Sequence, residues 1–390
     1  MKIGIITVQR APNYGAQLQC YALYKFLKDM GHDVEIIDLL RPYHKDFNNN
    51  TKYKPFQSIS WQKRLYRWIK SKVKWLISNK YRKHLKNEHL FSLKYSSEYI
   101  QLNEKFARFE SRMKYSETYH SLEELNTNTP YYDAYLTGSD QLWNPTQPYC
   151  VEPYFLTFVR NGSIKMSYAT SVGLADLPNP IKNQYKEWLK SFKWISVREQ
   201  SAVSILRGIG LTNVERHIDP TFLVKAEEWM QMAIKPEIDN YLFYFSISQN
   251  PHKLLSALKL AKQNNLKLVY RKKTYKQELN DTNALGLIDI SPEEWLGLIL
   301  YSNYVITDSF HGTAFSIIFR KNFNSFILNG SKRGSRIVDL LELLGLNNRL
   351  CNNDFSHFQM TQVDYKGVCE VIQSEANKTN EYFTRIIKYV

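Results

Sequence analysis

The chain has 390 residues, of which 43% are hydrophobic and 23% are charged, a composition that excludes a globally disordered protein. A chain of this length usually folds into two or three domains. The four cysteines are widely spaced and form no CxxC pair, which argues against a zinc module or a secreted disulfide scaffold and for a reducing compartment. No apolar run approaches the roughly 20 residues of a membrane span. We therefore predict a cytoplasmic location.

The positive charge is concentrated in one segment. Residues 61–88 contain ten basic residues and one acidic residue, and so carry +9 of the net charge of +15. Apolar residues recur there at helical spacing, with basic residues on the other face. Such a helix suits an anionic membrane surface, as a peripheral contact at the inner face of the cell membrane, or it docks on its own domain with a solvated basic face. No nucleic-acid motif accompanies the charge, so no nucleic-acid partner is predicted.

The order of the elements predicts an α/β protein. An apolar strand at 3–8, a helix after the loop at 13–15 and a strand at 34–39 form a βαβ opening without the GxGxxG spacing of a dinucleotide site. Further strands are predicted at 134–137, 165–169, 194–197, 241–247, 266–270, 304–307 and 323–328.

These strands predict two Rossmann-like doubly wound domains that face a cleft, with a basic helical insertion in the first. The predicted boundaries are 1–222 for the N-terminal domain with its insertion at about 42–125, 223–239 for a linker, 240–370 for the C-terminal domain, and 371–390 for a C-terminal helix that packs back on the first domain.

The sharpest local signal is the stretch 308–313, which follows a predicted strand and opens a helix. The N–H groups and the positive dipole at a helix start favour an anion, and Gly312 lets a ligand approach the backbone. His311 titrates near neutral pH and suits proton transfer. The other interpretation is a helix cap, supplied by Ser309 or Asp308, followed by a structural histidine.

A cationic loop follows the next predicted strand. Lys332 and Arg333 fit a solvated loop, although three nearby cations also suit phosphate or carboxylate. Arg336 begins a helix, where the helix dipole disfavours a cation, so we expect an anionic partner for it.

Polar residues also follow strands of the first domain. Arg198 points toward the cleft or pairs with Glu199. Asp140 is either a helix N-cap or an acid–base group that faces the cleft, and Asp219, before a proline, fits a structural turn.

Two aromatic residues complete the candidate set. The loop that contains Asn13, Tyr14 and Gly15 precedes a helix, so it binds an anion or only caps that helix. Tyr14 and Trp143 suit stacking on a sugar ring, although aromatic side chains are more often part of a core.

Taken together, these elements resemble the polysaccharide pyruvyl transferases. Six stretches carry the resemblance in the family's order: 13–19, 138–144, 168–173, 196–201, 219–221 and 307–313. The resemblance implies a fold similar to the GT-B glycosyltransferases. It also implies transfer of a pyruvyl group from phosphoenolpyruvate to a sugar, which forms a pyruvate ketal and releases phosphate.

The resemblance also suggests roles. His311 is the expected general acid, and Asp140 is expected to orient the acceptor hydroxyl. The expected donor-binding residues are Arg198, Ser309, Gly312, Thr313, Lys332, Arg333 and Arg336. The expected acceptor-binding residues are Asn13, Tyr14, Gly15, Ser139, Gln141 and Trp143. No metal and no cofactor besides phosphoenolpyruvate as co-substrate is expected, and the acceptor saccharide is expected on a surface polysaccharide or its lipid-diphosphate-linked precursor.

One departure from the family pattern matters. Many members have Arg-Leu-His where this chain has Ser309-Phe310-His311, so an arginine is missing at Ser309. We expect Lys332, Arg333 or Arg336 to supply that charge. The main rival function is a GT-B glycosyltransferase that uses a nucleotide sugar, and a second rival is a basic scaffold without catalysis.

Overall fold

The computed structural model describes residues 1–41, 44, 46–48, 78–147, 150, 152–327, 334–351 and 360–389. These residues form two parallel β-sheets flanked by helices. The seven strands of the first sheet have the order β3-β2-β1-β4-β5-β6-β7, and the six of the second have the order β10-β9-β8-β11-β12-β13. Both are Rossmann-type orders. The prediction of two Rossmann-like domains similar to the GT-B fold is confirmed.

The first half contains these elements in chain order: β1 (Lys2–Ile6), α1 (Tyr14–Asp29), β2 (Asp33–Leu39), α2 (Asn79–Lys94), α3 (Ser96–Glu110), β3 (Tyr115–Tyr119), α4 (Leu122–Thr127), β4 (Ala134–Asp140), β5 (Ile164–Thr170), α5 (Asn179–Leu189), β6 (Ile195–Val197), α6 (Gln200–Gly208) and β7 (Val214–Arg216).

The second half and the returning helix contain α7 (Ala226–Met232), β8 (Tyr241–Phe245), α8 (Pro251–Gln263), β9 (Lys267–Arg271), β10 (Ala284–Leu287), α9 (Pro292–Leu300), β11 (Tyr304–Thr307), α10 (Phe310–Ile318), β12 (Phe323–Phe326), α11 (Ser335–Leu343), β13 (Leu350–Cys351) and α12 (Val368–Ile387).

Each sheet reverses its strand order at one point, and those two points face the cleft. The first lies between β1 and β4, and the second lies between β8 and β11. The central strands are apolar and fully buried, as in the all-buried run of β8, because helices cover both faces of a parallel sheet. The residues that follow these strands therefore lie on one edge, where ligands of such folds bind.

The two halves share a continuous apolar core. The ring of Tyr14, in the first turn of α1, stacks on Trp295 of α9 with ring centroids 5.3 Å apart. The Tyr14 hydroxyl donates to the carbonyl of Ile290 at 3.1 Å. Helix α1 also packs on α10. Large apolar contacts of this kind hold one relative arrangement of two domains.

The insertion bridges the halves. Lys105 of α3 donates to both carboxylate oxygens of Glu294 on α9, at 3.0 and 2.9 Å, and to Asp289. The Tyr99 hydroxyl donates to the carbonyl of Lys273. The amphipathic pattern predicted for residues 61–77 lies outside the described residues, whereas residues 78–88 belong to α2 and the turn before it.

The last helix returns to the first half. The Tyr382 hydroxyl of α12 donates to the carbonyl of Ser167 in β5 at 2.8 Å, and Arg216 pairs with Glu375 at 2.6 Å. In the described part of the chain, no helix is long and apolar enough to cross a membrane.

Candidate active site

Five charged or titratable side chains from five different elements meet between the halves. Asp140 ends β4, Arg198 follows β6, and Asp219 follows β7, whereas His311 and Arg336 lie in the first turns of α10 and α11. All five are at least 90% buried. Beside them is a cavity of about 200 Å³ whose walls come from both halves, including Arg198, Asp219 and Arg336. The parallel topology brings them together, because all follow strand ends at facing sheet edges.

Asp219 links the arginine to the histidine. Its Oδ2 accepts from Nη1 of Arg198 at 2.6 Å and lies 3.5 Å from Nε2 of His311. Its Oδ1 accepts from the amide and hydroxyl of Thr221. Burial alone would raise the pKa of Asp219, but His311, Arg198 and the Thr221 amide outweigh it and hold the pKa well below its usual value. Asp219 is therefore a carboxylate that does more than shape a turn.

Asp140 receives both arginines. Its Oδ1 lies 3.5 Å from Nη2 of Arg198 and 3.6 Å from Nη1 of Arg336. Burial opposes its ionisation, yet the charges of Arg198, His311 and Arg336 lower its pKa. The helix-cap interpretation is wrong, because Asp140 ends a strand with φ at 73° and a turn follows it. The pairing of Arg198 with Glu199 also exists, at a longer 3.9 Å.

His311 is held between the two halves. A Cβ atom placed on Gly15 would lie 2.0 Å from Nδ1 of His311, so only a glycine permits this approach. Nε2 faces Asp219 at a distance beyond the roughly 2.7–3.2 Å of a well-formed hydrogen bond. The Phe310 ring meets the imidazole edge-on, with centroids 5.1 Å apart. The imidazole thus has a defined position and one nitrogen directed at the charged cluster.

Phe310 separates two guanidinium groups. The Arg198 guanidinium lies 4.3 Å from its ring centroid and that of Arg336 lies 5.7 Å away. The Gln141 amide, oriented with its oxygen toward Arg336, accepts from Nη2 at 2.6 Å. Gln141 therefore supports a cation.

The other predicted residues of the histidine motif have structural roles. Ser309 caps α10, and its hydroxyl accepts from the Gly312 amide at 3.2 Å. The prediction that Gly312 makes room for a ligand is wrong, because a Cβ there would lie 2.4 Å from Oγ1 of Thr307. Thr313 is fully buried and donates to the Ser309 carbonyl. Lys332 and Arg333 lie outside the described residues.

Stacking of an acceptor sugar on Tyr14 or Trp143 is also wrong, because both rings are buried in the core. Trp143 stacks on Phe155 and donates to the carbonyl of Tyr154 at 2.8 Å. Ser139 is fully buried, and its hydroxyl donates to the Ala169 carbonyl. Asn13 caps α1 and remains exposed.

Sequence reasoning missed two members of the cluster, Asp219 and Phe310. The signal for Asp219 was its position after a strand in the same half as Arg198, but the following proline favoured a turn. Phe310 carried no chemical signal. No group of three or more His, Cys, Asp or Glu side chains suited to a metal ion occurs among the residues that the structure describes.

Comparison with solved structures agrees on the fold. The UDP-GlcNAc 2-epimerase of Methanocaldococcus jannaschii is 11% identical with a TM-score of 0.50, and the match covers 100% of both chains. Arabidopsis thaliana UGT89C1 is 9% identical over 96% of this chain and 89% of that one, with a TM-score of 0.45. The Escherichia coli heptosyltransferase WaaC is 10% identical over 96% of this chain and 100% of that one, with a TM-score of 0.41. No curated protein matches the sequence.

A family model describes the sequence more directly than these structures do. The model of the polysaccharide pyruvyl transferases matches residues 13–329, a stretch that begins at the cap of α1 and includes Asp140, Arg198, Asp219 and His311. The chain belongs to the polysaccharide pyruvyl transferase family and is a transferase enzyme.

Proposed function

We propose that this enzyme transfers a pyruvyl group from phosphoenolpyruvate to two hydroxyls of a saccharide, forms a cyclic ketal and releases phosphate. The observation that carries the proposal is the meeting of His311 with Asp219 and Arg198 across the cleft. A proton donor and a fixed cation in one water-poor site are what an enol phosphate substrate requires.

The donor is proposed to bind between the guanidinium groups of Arg198 and Arg336 and the first turn of α10. Arginine binds phosphate and carboxylate through paired hydrogen bonds, and the amides at a helix start add further donors. Arg198 already pairs with Asp219 and Asp140, so it serves as a rigid, pre-oriented cation. Arg336 takes the role of the arginine that is absent at Ser309.

His311 is proposed as the general acid. Its protonated imidazole gives a proton to the methylene carbon of phosphoenolpyruvate, which leaves the positive charge on C2. Asp219 favours the protonated imidazole from 3.5 Å without a tight hydrogen bond to Nε2, so the proton stays available for transfer. Asp219 acts through His311 and Arg198 and is therefore a positioning residue.

Two hydroxyls of the acceptor then react in turn. The first adds to C2 and returns its proton to the imidazole, which restores neutral His311 for reprotonation. The second displaces phosphate from C2 and closes the ketal, and its proton leaves with the phosphate. Asp140 is proposed to accept a hydrogen bond from the attacking hydroxyl, since its carboxylate is ionised beside both arginines.

The proposal is tested by phosphate release from phosphoenolpyruvate against a panel of saccharide acceptors, with mass spectrometry of the products. The expected product gains pyruvate with loss of water. His311→Ala should abolish release, and nucleotide sugars in place of phosphoenolpyruvate should give no transfer. Transfer of a sugar from a nucleotide sugar with no reaction of phosphoenolpyruvate would contradict the proposal and support a glycosyltransferase.

Peripheral membrane contact through residues 61–88 is proposed as well, and α2 supports it within the described residues. Leu85, Leu90 and Leu93 are 42%, 50% and 57% exposed. Exposed basic residues share the helix: Lys80, Arg82, Lys83 and Lys86. Exposed leucines beside cations suit the boundary between lipid headgroups and acyl chains. Such a contact would bring the enzyme to a lipid-linked acceptor.

A flotation assay with anionic vesicles tests the membrane contact. Leu85→Glu combined with Leu93→Glu should reduce the bound fraction several-fold. Leu255→Glu, at a 52% exposed leucine of α8, is the matched control and should bind normally. Equal binding of all three proteins would contradict the proposal.

A further inference from the structure

Arg271 is a buried cation outside the catalytic cluster. It ends β9 and is only 9% exposed. Among the described residues, no acceptor lies within hydrogen-bond or ion-pair distance of its guanidinium, and its Nε is buried without a partner. Its contact is with the Tyr14 ring, whose centroid lies 4.9 Å away. A buried guanidinium without an acceptor is costly, so such groups are normally found where a ligand completes them.

Lys273 is a second cation at the same sheet edge. It follows β9 by two residues, and because side chains alternate along an extended chain, Arg271 and Lys273 leave β9 on the same side. No hydrogen bond or ion pair joins its Nζ to a described residue. Burial, with the nearby Arg271 charge, lowers the pKa of Lys273 to about 7, and Asp308 only partly offsets them.

The nearby carboxylates are engaged elsewhere. Asp308 accepts from the amides of Ile247 and Ser248, at 2.6 and 3.0 Å, and from the Ser246 hydroxyl. Asp289 and Glu294 bind Lys105 of the insertion. The two cations thus have positive charge that the surrounding protein does not neutralise.

The position is next to the proposed catalytic site and separate from it. Tyr14, against which Arg271 lies, is the sequence neighbour of Gly15, which contacts His311. The first turn of α1 therefore stands between the two clusters. Arg271 and Lys273 also end a strand adjacent to β8, at the point where the second sheet reverses its order and ligands commonly bind.

We propose that Arg271 and Lys273 bind a phosphate group of a substrate, at a subsite distinct from the cluster around His311. Phosphate matches both the paired donors of a guanidinium and the point charge of an ammonium. Two sources share this chemistry: a phosphate carried by the saccharide acceptor, and the phosphate of phosphoenolpyruvate. The assignment to a substrate rests on the proposed function, whereas phosphate binding itself does not.

Titration calorimetry on the full-length protein tests the subsite without requiring turnover. The ligands are glucose 1-phosphate, phosphoenolpyruvate and inorganic phosphate, each titrated into wild type, Arg271→Met and Lys273→Met. Lys267→Met, which removes an exposed charge from the opposite end of β9, is the matched control. We expect Arg271→Met and Lys273→Met each to weaken one of the two substrate phosphates at least tenfold, with Lys267→Met unchanged.

The pattern of losses identifies the source. Weaker binding of glucose 1-phosphate alone supports a phosphorylated acceptor, and weaker binding of phosphoenolpyruvate alone supports the donor phosphate. Unchanged affinity of folded Arg271→Met and Lys273→Met for all three ligands would overturn the proposal. If Arg271→Met does not fold, Lys273→Met alone decides. Because binding is measured directly, failure of pyruvyl transfer and failure of the subsite are seen separately.

Discussion

The imidazole of His311 lies against Gly15 so closely that a Cβ on residue 15 would be 2.0 Å from Nδ1. The contact joins the first turn of α10 in one half to the first turn of α1 in the other. The proposed general acid is therefore positioned by the opposite half, and its place depends on the absence of one methyl group.

Gly15→Ala should abolish or greatly reduce activity, by at least 100-fold in kcat, because the methyl group displaces His311. Alanine is otherwise about 1 kcal/mol better than glycine in a helix, so a loss cannot come from helix propensity. Gly208→Ala at the end of α6, where nothing lies near the added methyl, is the control and should retain activity. Steady-state kinetics that show near-normal Gly15→Ala turnover would refute the positional role.

Asp219→Asn should lower kcat about 100-fold while the protein stays folded. Asparagine keeps the shape and can still accept from Thr221, but it removes the negative charge that favours protonated His311. The loss should be greatest at higher pH, where protonation is hardest. A pH–rate profile checks this, with the melting temperature as a folding control. A uniform loss at all pH values would instead indicate a purely structural role.

Arg336→Met should raise KM for phosphoenolpyruvate at least tenfold, because its guanidinium replaces the arginine that the family pattern has at Ser309. Ser309→Ala should leave KM nearly unchanged and cost about 1 kcal/mol of stability, since its hydroxyl caps α10. Kinetics and denaturant unfolding on both variants separate the two roles. An unchanged KM in Arg336→Met would remove it from donor binding.

His217 should make the protein sensitive to mild acid. Burial, with Lys378 and two arginines nearby, lowers its pKa to about 3, whereas a histidine in an unfolded chain titrates near 6.5. The unfolded state therefore binds a proton that the folded state refuses, and stability falls as the pH drops from about 6.5 toward 3. Between pH 7 and pH 5 the contribution is about 2 kcal/mol.

Urea unfolding at those two pH values measures that loss. His217→Gln should reduce the difference between pH 7 and pH 5, whereas His120→Gln, at a 52% exposed side chain, should not. An equal difference in wild type and His217→Gln would show that other groups cause the acid sensitivity.

The sequence predicted the elements whose signals are local. Apolar runs such as Tyr241–Phe245 are recognisable as buried strands, and parallel strands end at a common edge. Arg198 and Asp140 could therefore be placed at the cleft from the order of strands and loops alone. His311 was recognisable for the same reason, since it opens a helix directly after a strand.

The contacts between the halves were not predictable, because they depend on how two surfaces pack. Tyr14 has the same local pattern whether it faces a sugar or Trp295, and only the packing buries it. Gly312 suggested ligand space, yet its small size is required by Thr307. The double use of Asp219, at a turn and at Arg198, likewise requires knowledge of which strands are neighbours.

Helix α12 has one consequence for the chain as a covalent object. The polypeptide leaves the first half after β7 and re-enters it with α12, where Tyr382 and Glu375 are bound. The second half is thus a loop of chain with both ends anchored in its neighbour. A single peptide-bond break within it would leave two fragments, each still rooted in the first half, so nicked protein should migrate as one particle until it is denatured.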